Sequence, residues 1–399
     1  MRSYAEDTSA AGRQVLPDLV RAWALFGICV VNVGVLSWPM MSSYHYPGGL
    51  TSGADEAAYW GVNALFLMKS YSLFSLMFGV GFAYQMQSAE RRGVGFAGRY
   101  WRRIIGLLAF GILNITCLFF GDILVMYAVL GSLLFLFRKS GPKTLMRWGI
   151  AIYVLQIVLA ALMAVSIWAG MTYAPEDMAE MMAEFEAGDA AALAAFGSGS
   201  FIEAATYRTM TYLESGVFMF LFQGPGAFAF FLIGFALVKT GAIADPAAAI
   251  WKRSRHILLP LGLLVSGAGG WLMVAGEGMS DPTMMWGMLL VTIGSPFSTF
   301  GYLGLIAKFA EGRGGPIRAF LARGGTASLT AYLMQNLILS LIFHAYGLDL
   351  FAKVPAAQAI AIAAGVALFT IAFASIWRLF FSRGPLEYIL RGWTYLGAR

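Results

Sequence analysis

Long apolar runs recur along the whole chain, and they constrain the fold more than any other feature. They lie near 19–38, 58–87, 104–120, 123–137, 148–169, 214–238, 257–275, 284–307, 327–347 and 356–377. A helix rises about 1.5 Å per residue, so about 20 such residues cross the ~30 Å hydrocarbon layer of a bilayer. Inside hydrocarbon the backbone has no water to bond, and a spanning run closes its own hydrogen bonds as a helix. Charged residues make up 12% of the 399 positions and hydrophobic residues 59%. The charged share is about half that of a soluble domain, too little to solvate a globule of this length. The 47 glycines and 15% aromatics fit as well, since glycine permits close helix packing and aromatics anchor at interfaces. The sequence therefore predicts an all-α integral membrane protein with about ten transmembrane helices.

Charge sets the expected orientation. One set of loops carries Arg91, Arg92, Arg99, Arg102 and Arg103, then Arg138, Lys139, Lys143 and Arg147, then Lys252, Arg253 and Arg255. Lys308, Arg313, Arg318, Arg323, Arg383 and Arg391 continue it. The alternate loops hold little Lys or Arg beyond Arg208 and Lys353, and carry Asp55, Glu56, Glu277, Asp281 and Asp349 instead. The positive-inside rule then places both termini in the cytoplasm, which requires an even number of crossings. The organisation read this way is a cytoplasmic segment 1–18, one transmembrane helical domain 19–377 and a cytoplasmic segment 378–399. An acidic, alanine-rich outer loop at 170–213 is expected to be partly helical and to act as a cap. The runs 104–120 and 123–137 are short and joined only by Gly121 and Asp122, so their turn is expected just below the outer surface, carrying a carboxylate with it.

Several function classes are excluded. The net charge of +6 resides in short loops and is a topology signal, not a nucleic-acid one. Cys29 and Cys117, the two cysteines, both fall in apolar runs, which argues against a disulfide framework and a thiol metal site. Neither a P-loop nor a glycine-rich dinucleotide fingerprint is found. Glu6, Asp7 and Asp18 precede the first run without a small-residue cleavage site, so that run reads as an uncleaved helix.

Several segments, in order along nearly the full length, resemble the YeiB-like family of bacterial membrane proteins. Asp18, Arg21, Ala24 and Gly27, followed by Asn32, match a D-x-x-R-G-x-A-x-x-G pattern with a later Asn, although Ala22 stands at its first glycine. Leu76 to Gly81 is similar to L-L-F-G-x-G. Gly121, Asp122, Ile123 and Leu124, with Tyr127 and Gly131, resemble G-D-I-L-x-x-Y-x-x-x-G. Thr326 to Gln335 is similar to a tyrosine and glutamine segment, and Gly384, Pro385 and Glu387 with Arg391 and Thr394 resemble G-P-x-E-W and R-x-x-T. Asn114 and Ala331 stand where many members have His and Asn. The family is in turn similar to heparan-α-glucosaminide N-acetyltransferase, where an Asn late in a helix precedes a His in the next outer loop, as Asn32 precedes His45. The resemblance implies a multi-pass protein of the bacterial inner membrane. It also implies acyl transfer from cytoplasmic acyl-CoA to a small-molecule, glycan or lipid acceptor at the outer face.

Acyl transfer needs a base near neutral pH, and the imidazole of His45 suits that role; its plain alternative is a histidine in an aromatic loop. An ionisable group at the depth of Asp122 is a site candidate by default, as a partner of His45, and equally a turn residue capping the helix from Ile123. Asn32 and Asn114 can donate to a developing oxyanion or serve as interhelical hydrogen bonds. The catalytic expectation is His45, Asp122 and Asn32. Arg91, Arg92, Arg99, Arg102 and Arg103 can hold the phosphates of a coenzyme A donor, or simply mark the cytoplasmic side and contact anionic lipid. Asp18 and Arg21 share a helix face and are expected to form a structural clasp, as is Glu387. Lys69 is expected to face a cavity or to snorkel. The rival class is a transporter or a lipid-translocating or lipid-binding protein in which the same residues line a path. Expected partners are membrane lipids and the acceptor; nucleic acid is not among them, no tightly bound cofactor is expected, and a homodimer is compatible with the sequence.

Overall fold

The structure, a computed structural model, describes residues 14–40, 50–276, 278, 281–312 and 314–396. Every regular element among them is a helix: α1 Val15–Ser37, α2 Gly53–Leu65, α3 Lys69–Arg91, α4 Ala97–Cys117 and α5 Leu124–Leu134. Next come α6 Pro142–Tyr173, α7 Pro175–Gly197, α8 Phe201–Lys239, α9 Ala249–Ala275 and α10 Pro282–Ala310. The remainder are α11 Pro316–Gly325, α12 Ser328–Phe343, α13 Ala356–Phe380 and α14 Pro385–Thr394. Among the described residues seven helices or helix pairs are long and apolar enough to cross a bilayer, or eight with the α11–α12 pair, which is bent by 79°. Exposed apolar side chains such as Val217, Leu264, Trp271 and Leu368 face outward, as a lipid-facing surface requires. The chain is a multi-pass membrane protein.

The expected run at 104–120 belongs to α4, whose first turns carry Arg99, Arg102 and Arg103, and the run at 123–137 contains α5, only 11 residues long. At about 1.5 Å per residue α5 covers roughly half a bilayer, so α4 and α5 form a hairpin that leaves the basic end and returns to it. The segment expected as an outer loop, 170–213, is almost wholly helical. Pro175 opens α7, the alanines sustain it, and Ser200 and Glu203 close a capping box at the start of α8.

The run expected as one helix over 58–87 is broken. Met68 adopts φ 65°, a left-handed backbone that separates α2 from α3 within one 39-residue apolar span. The break releases carbonyls at the end of α2, and two side chains take them. The Lys69 Nζ donates to Asn63 O at 3.1 Å, and the Tyr302 hydroxyl donates to Leu65 O at 2.9 Å. Lys69 is fully buried and does not snorkel; its ammonium acts as a clasp for the break.

Helix α8 runs through the centre. Phe231 stacks on Phe78 at 4.4 Å and meets Tyr127 edge-on at 4.9 Å. A Cβ on Gly234 would overlap the carbonyl of Leu76, and one on Gly79 the carbonyl of Phe231, so α3 and α8 approach backbone to backbone. Gly234→Val therefore lowers the stability of the detergent-solubilised protein by about 2 kcal/mol or more, the scale of a severe overpacking; a thermal-unfolding scan checks it. Pro225 interrupts α8, and Gln156 of α6 repairs the interruption. The Gly226 N–H donates to Gln156 Oε1 at 3.1 Å, and Gln156 Nε2 donates to the carbonyl of Phe222. A side-chain amide is thus inserted where one helical hydrogen bond would close.

The loops sort into two ends. At one, Arg21, Arg103, Arg383 and Arg391 gather around the start of α1 and around α14. At the other, Trp38 Nε1 donates to Val354 O at 3.2 Å, and the Ala357 N–H donates to Asp55 Oδ1 at 2.9 Å. If the first end is cytoplasmic, a cysteine at Lys143 is labelled from the cytoplasm and one at Ser198 only from outside. Labelling at Ser198 from the cytoplasm would reverse the orientation.

Candidate functional site

Two cavities lie back to back along the molecule. The first, about 470 Å³, opens at the basic end and is lined by Arg21, Arg103, Arg383 and Arg391 with Glu387 and five tyrosines, among them Tyr127 and Tyr332. Its walls come from distant parts of the chain. Arg21 is held on α1 by Asp18, Nη1 to Oδ1 at 2.9 Å, as their spacing of three predicts. Arg103 projects from α4. Arg383 and Arg391 flank the start and body of α14, which is pinned by Glu387. The Glu387 Oε1 accepts the N–H groups of Leu329 and Thr330 at 2.7 and 3.2 Å, and Oε2 accepts the Thr330 hydroxyl at 2.6 Å. Glu387 so satisfies the open amides at the start of α12 and leaves the arginines in excess over carboxylates in the cavity.

The second cavity, about 260 Å³, is lined mainly by apolar and sulfur-bearing side chains, with Asn32, Asn63, Gln156 and Gln223 among them. Between the two lies a buried polar node. The Asn114 Nδ2 donates to Asp122 Oδ1 at 2.7 Å and reaches the Tyr332 hydroxyl at 3.5 Å. The Asn336 Nδ2 donates to Asn114 Oδ1 at 3.1 Å, and Asp122 Oδ2 accepts the Val125 N–H at 2.8 Å. A Cβ on Gly111 would stand 2.7 Å from that Val125 nitrogen and 2.9 Å from Asp122 Oδ2, so only glycine lets α4 approach this closely. Gly121 and Ile123 line the apolar cavity, whereas Leu124, Tyr127 and Tyr332 line the basic one. Asp122 sits in the partition, with the Tyr127 hydroxyl beside Ser75 Oγ at 2.6 Å closing it on the α3 side.

The chain matches the model of the "Protein of unknown function (DUF418)" family over residues 237–397. It is 30% identical to the "Uncharacterized protein YxaH" of Bacillus subtilis (strain 168) over 396 residues, 95% of this chain and 93% of the relative. The chain belongs to the YeiB-like family. The "Uncharacterized protein YeiB" of Escherichia coli (strain K12) is 24% identical, with 97% of each chain covered. An "Uncharacterized 39.9 kDa protein in amylase 3'region" of Bacillus acidopullulyticus is 25% identical over 95% of this chain and 92% of its own length. No solved structure matches the chain. In this YeiB-like protein the DUF418 match covers the end of α8 onward, and so supplies Tyr332, Asn336, Arg383, Glu387 and Arg391, while Arg21, Arg103, Asn114 and Asp122 come from the preceding half.

The residues singled out in the sequence fall in different places. Asp122 and Asn114 meet directly, and Asn32 lines the apolar cavity. His45 lies outside the described residues, and so does any pairing of it with Asp122. Of the five arginines expected to act together, Arg103 lines the basic cavity. Arg99 instead covers the ring of Tyr395 at 5.1 Å, and Arg102 donates to the carbonyl of Leu396, so both fasten α14. Arg91 and Arg92 are exposed at the end of α3. Their nearness in sequence spreads them around a helix end, whereas the cavity needs side chains converging from three directions. Sequence reading did not anticipate Arg21, Arg383 and Arg391 as cavity residues, nor Tyr332 and Asn336. The last two stand four apart in an apolar run, one helix face, which was the available signal.

A second histidine, His344, ends α12 at the far end. Its Nδ1 lies 2.9 Å from the Tyr346 hydroxyl and 3.5 Å from Arg208 Nη1.

Proposed function

We propose that this chain is an acyl-CoA-dependent acyltransferase of the bacterial inner membrane, taking an acyl group at the basic end and passing it to a hydroxyl or amine acceptor. What carries the reading is one arrangement: a cavity with four arginines at its mouth that leads to Tyr332, behind which stand Asn114 and Asp122. Guanidinium groups pair with phosphate oxygens through two parallel hydrogen bonds, and a nucleotide-bearing thioester presents several such oxygens. With the nucleotide at the arginines, the thioester end points to the partition. The acceptor oxygen or nitrogen attacks the thioester carbon, the carbon–sulfur bond breaks, and the acceptor proton passes to a base and from it to the departing sulfur, so coenzyme A leaves as the thiol. His45 is the base by resemblance, and Met40, a few residues before it, lines the cavity on the acceptor side. Asp122 supplies the carboxylate that orients and stabilises the protonated base.

One observation favours a second reading. Two cavities meeting at a thin polar partition are also the plan of a translocation path with an occluding layer. Incubating membranes that contain the protein with acetyl-CoA radiolabelled in the acetyl group separates the two. Transfer of label to a lipid, glycan or small molecule, absent without the protein, supports acyl transfer; no acetyl-CoA consumption with the wild type overturns it in favour of translocation.

A further inference from the structure

We propose that the apolar cavity is a binding site for an uncharged long-chain alcohol, held with its hydroxyl at Asn63 and Ser70. This inference stands apart from acyl transfer and holds whether the occupant is a substrate, a cargo or a bound lipid.

The two cavities differ in kind. The basic one presents four arginines; among its described lining residues the apolar one presents no Asp, Glu, Lys, Arg or His. A charged ligand drawn into it would leave its hydration shell with nothing to replace it, a cost of several kcal/mol. Nor does the cavity suit a pure hydrocarbon. Two buried polar atoms of the lining, Asn63 Nδ2 and Ser70 Oγ, find no hydrogen-bond partner among the described residues. Native interiors seldom leave such groups unmet, and each calls for a specific partner. An amide N–H only donates, while the serine hydroxyl donates and accepts, and a ligand hydroxyl answers both needs.

Asn63 and Ser70 stand seven apart on either side of the break between α2 and α3 at Met68, whereas the Tyr71 hydroxyl turns away toward Gly226 of α8. Lys69, beside them, is not among the residues that line the cavity; its Nζ is turned to the carbonyl of Asn63. Away from this locus the walls are Phe66, Phe119, Phe222, Met163, Met285 and Met288. Methionine and phenylalanine walls accept a flexible chain without demanding one shape. The cavity thus has a polar end and an adaptable apolar body, the form of an amphiphile with a neutral head.

The test is photolabelling of the purified full-length protein in nanodiscs with 1-hexadecanol carrying a mid-chain diazirine. Matching hexadecanoic acid and hexadecyltrimethylammonium probes run beside it. The alcohol is expected to label peptides containing Phe66–Met68 or Met285–Met288, more than either charged probe, with competition by unlabelled hexadecanol. Asn63→Leu is expected to reduce that labelling roughly tenfold, the factor of about one lost hydrogen bond in an apolar setting. Met288→Trp, which fills the cavity without touching the polar end, is expected to abolish it and serves if Asn63→Leu does not fold. Labelling confined to outward-facing residues such as Leu264 and Leu368, equal labelling by all three probes, or labelling unchanged in both variants would overturn the proposal. Coenzyme A binding, measured on the same variants, is expected to be unaffected, so this site and the donor site fail or stand separately.

Discussion

Coenzyme A is expected to bind the purified protein, with an affinity that falls about a hundredfold when Arg103 and Arg391 both become glutamine. The expectation rests on geometry: the two residues reach the same cavity from α4 and α14, joined by Arg21 and Arg383. A hydrogen bond to a charged group contributes about 1.5–3 kcal/mol, and about 1.4 kcal/mol is a factor of ten. Glutamine keeps much of the side-chain volume and a donor but removes the charge, so most of the loss is electrostatic. High salt weakens wild-type binding and flattens the difference between wild type and variant, because the mouth of the cavity meets solvent. Arg91→Gln and Arg92→Gln, on the exposed end of α3, leave the affinity unchanged and control for a general loss of positive charge. Calorimetry with coenzyme A reads all of these. Absence of binding to the wild type, or equal losses at Arg91 and Arg103, would remove the donor site from the proposal.

The other large effect belongs to Asp122, where two roles can be pulled apart. The carboxylate accepts the Val125 N–H at the start of α5 and the Asn114 amide. Asn keeps one acceptor oxygen, enough for the Val125 N–H but not also for the Asn114 amide, so Asp122→Asn is expected to keep the fold at a cost of about 1–3 kcal/mol. It removes the charge that a catalytic base would lean on, and acyl transfer falls by about a hundredfold or more, the scale of losing general acid–base assistance. Asp122→Ala removes the acceptor altogether. It leaves Asn114 Nδ2 and the Val125 N–H buried without it, at a cost of about 1–3 kcal/mol each, so this variant loses stability as well as turnover. Thermal unfolding of both variants beside the radiolabelled transfer assay gives the answer. Full transfer activity in a folded Asp122→Asn protein would reduce Asp122 to a helix-start residue.

The apolar runs made the helical membrane fold legible because a long apolar run in hydrocarbon has few alternatives to a helix. The short hairpin around Asp122 was legible for the same reason: two runs too short to stand alone, with a carboxylate in the turn. Three things were not. The break at Met68 lies in an apolar run with no proline or glycine at that point, and it exists because Lys69 and Tyr302 arrive to satisfy the freed carbonyls. The basic cavity depends on residues as far apart as 21 and 391, brought together by the packing of α1, α4 and α14. A local cluster such as 91–103 reads as a site in sequence, yet consecutive residues on a helix end point in different directions. The helical continuity of 170–213 was only partly legible, since acidic, alanine-rich sequence forms a helix as readily as a loop.

The Gln156 insertion into α8 gives that helix a mechanical character of its own. A helix of 39 residues is ordinarily a stiff shaft, with each turn latched to the next by the main chain. At Pro225 the latch is borrowed from a neighbour, and a side chain can swing away by rotating single bonds, with no change in the peptide geometry around it. One length of the shaft, carrying Phe231 and Gly234, is keyed to α3; the other runs outward to α7. Gln156 also shows an edge to the apolar chamber. An occupant of that chamber would lie against the catch that joins the two lengths of the shaft.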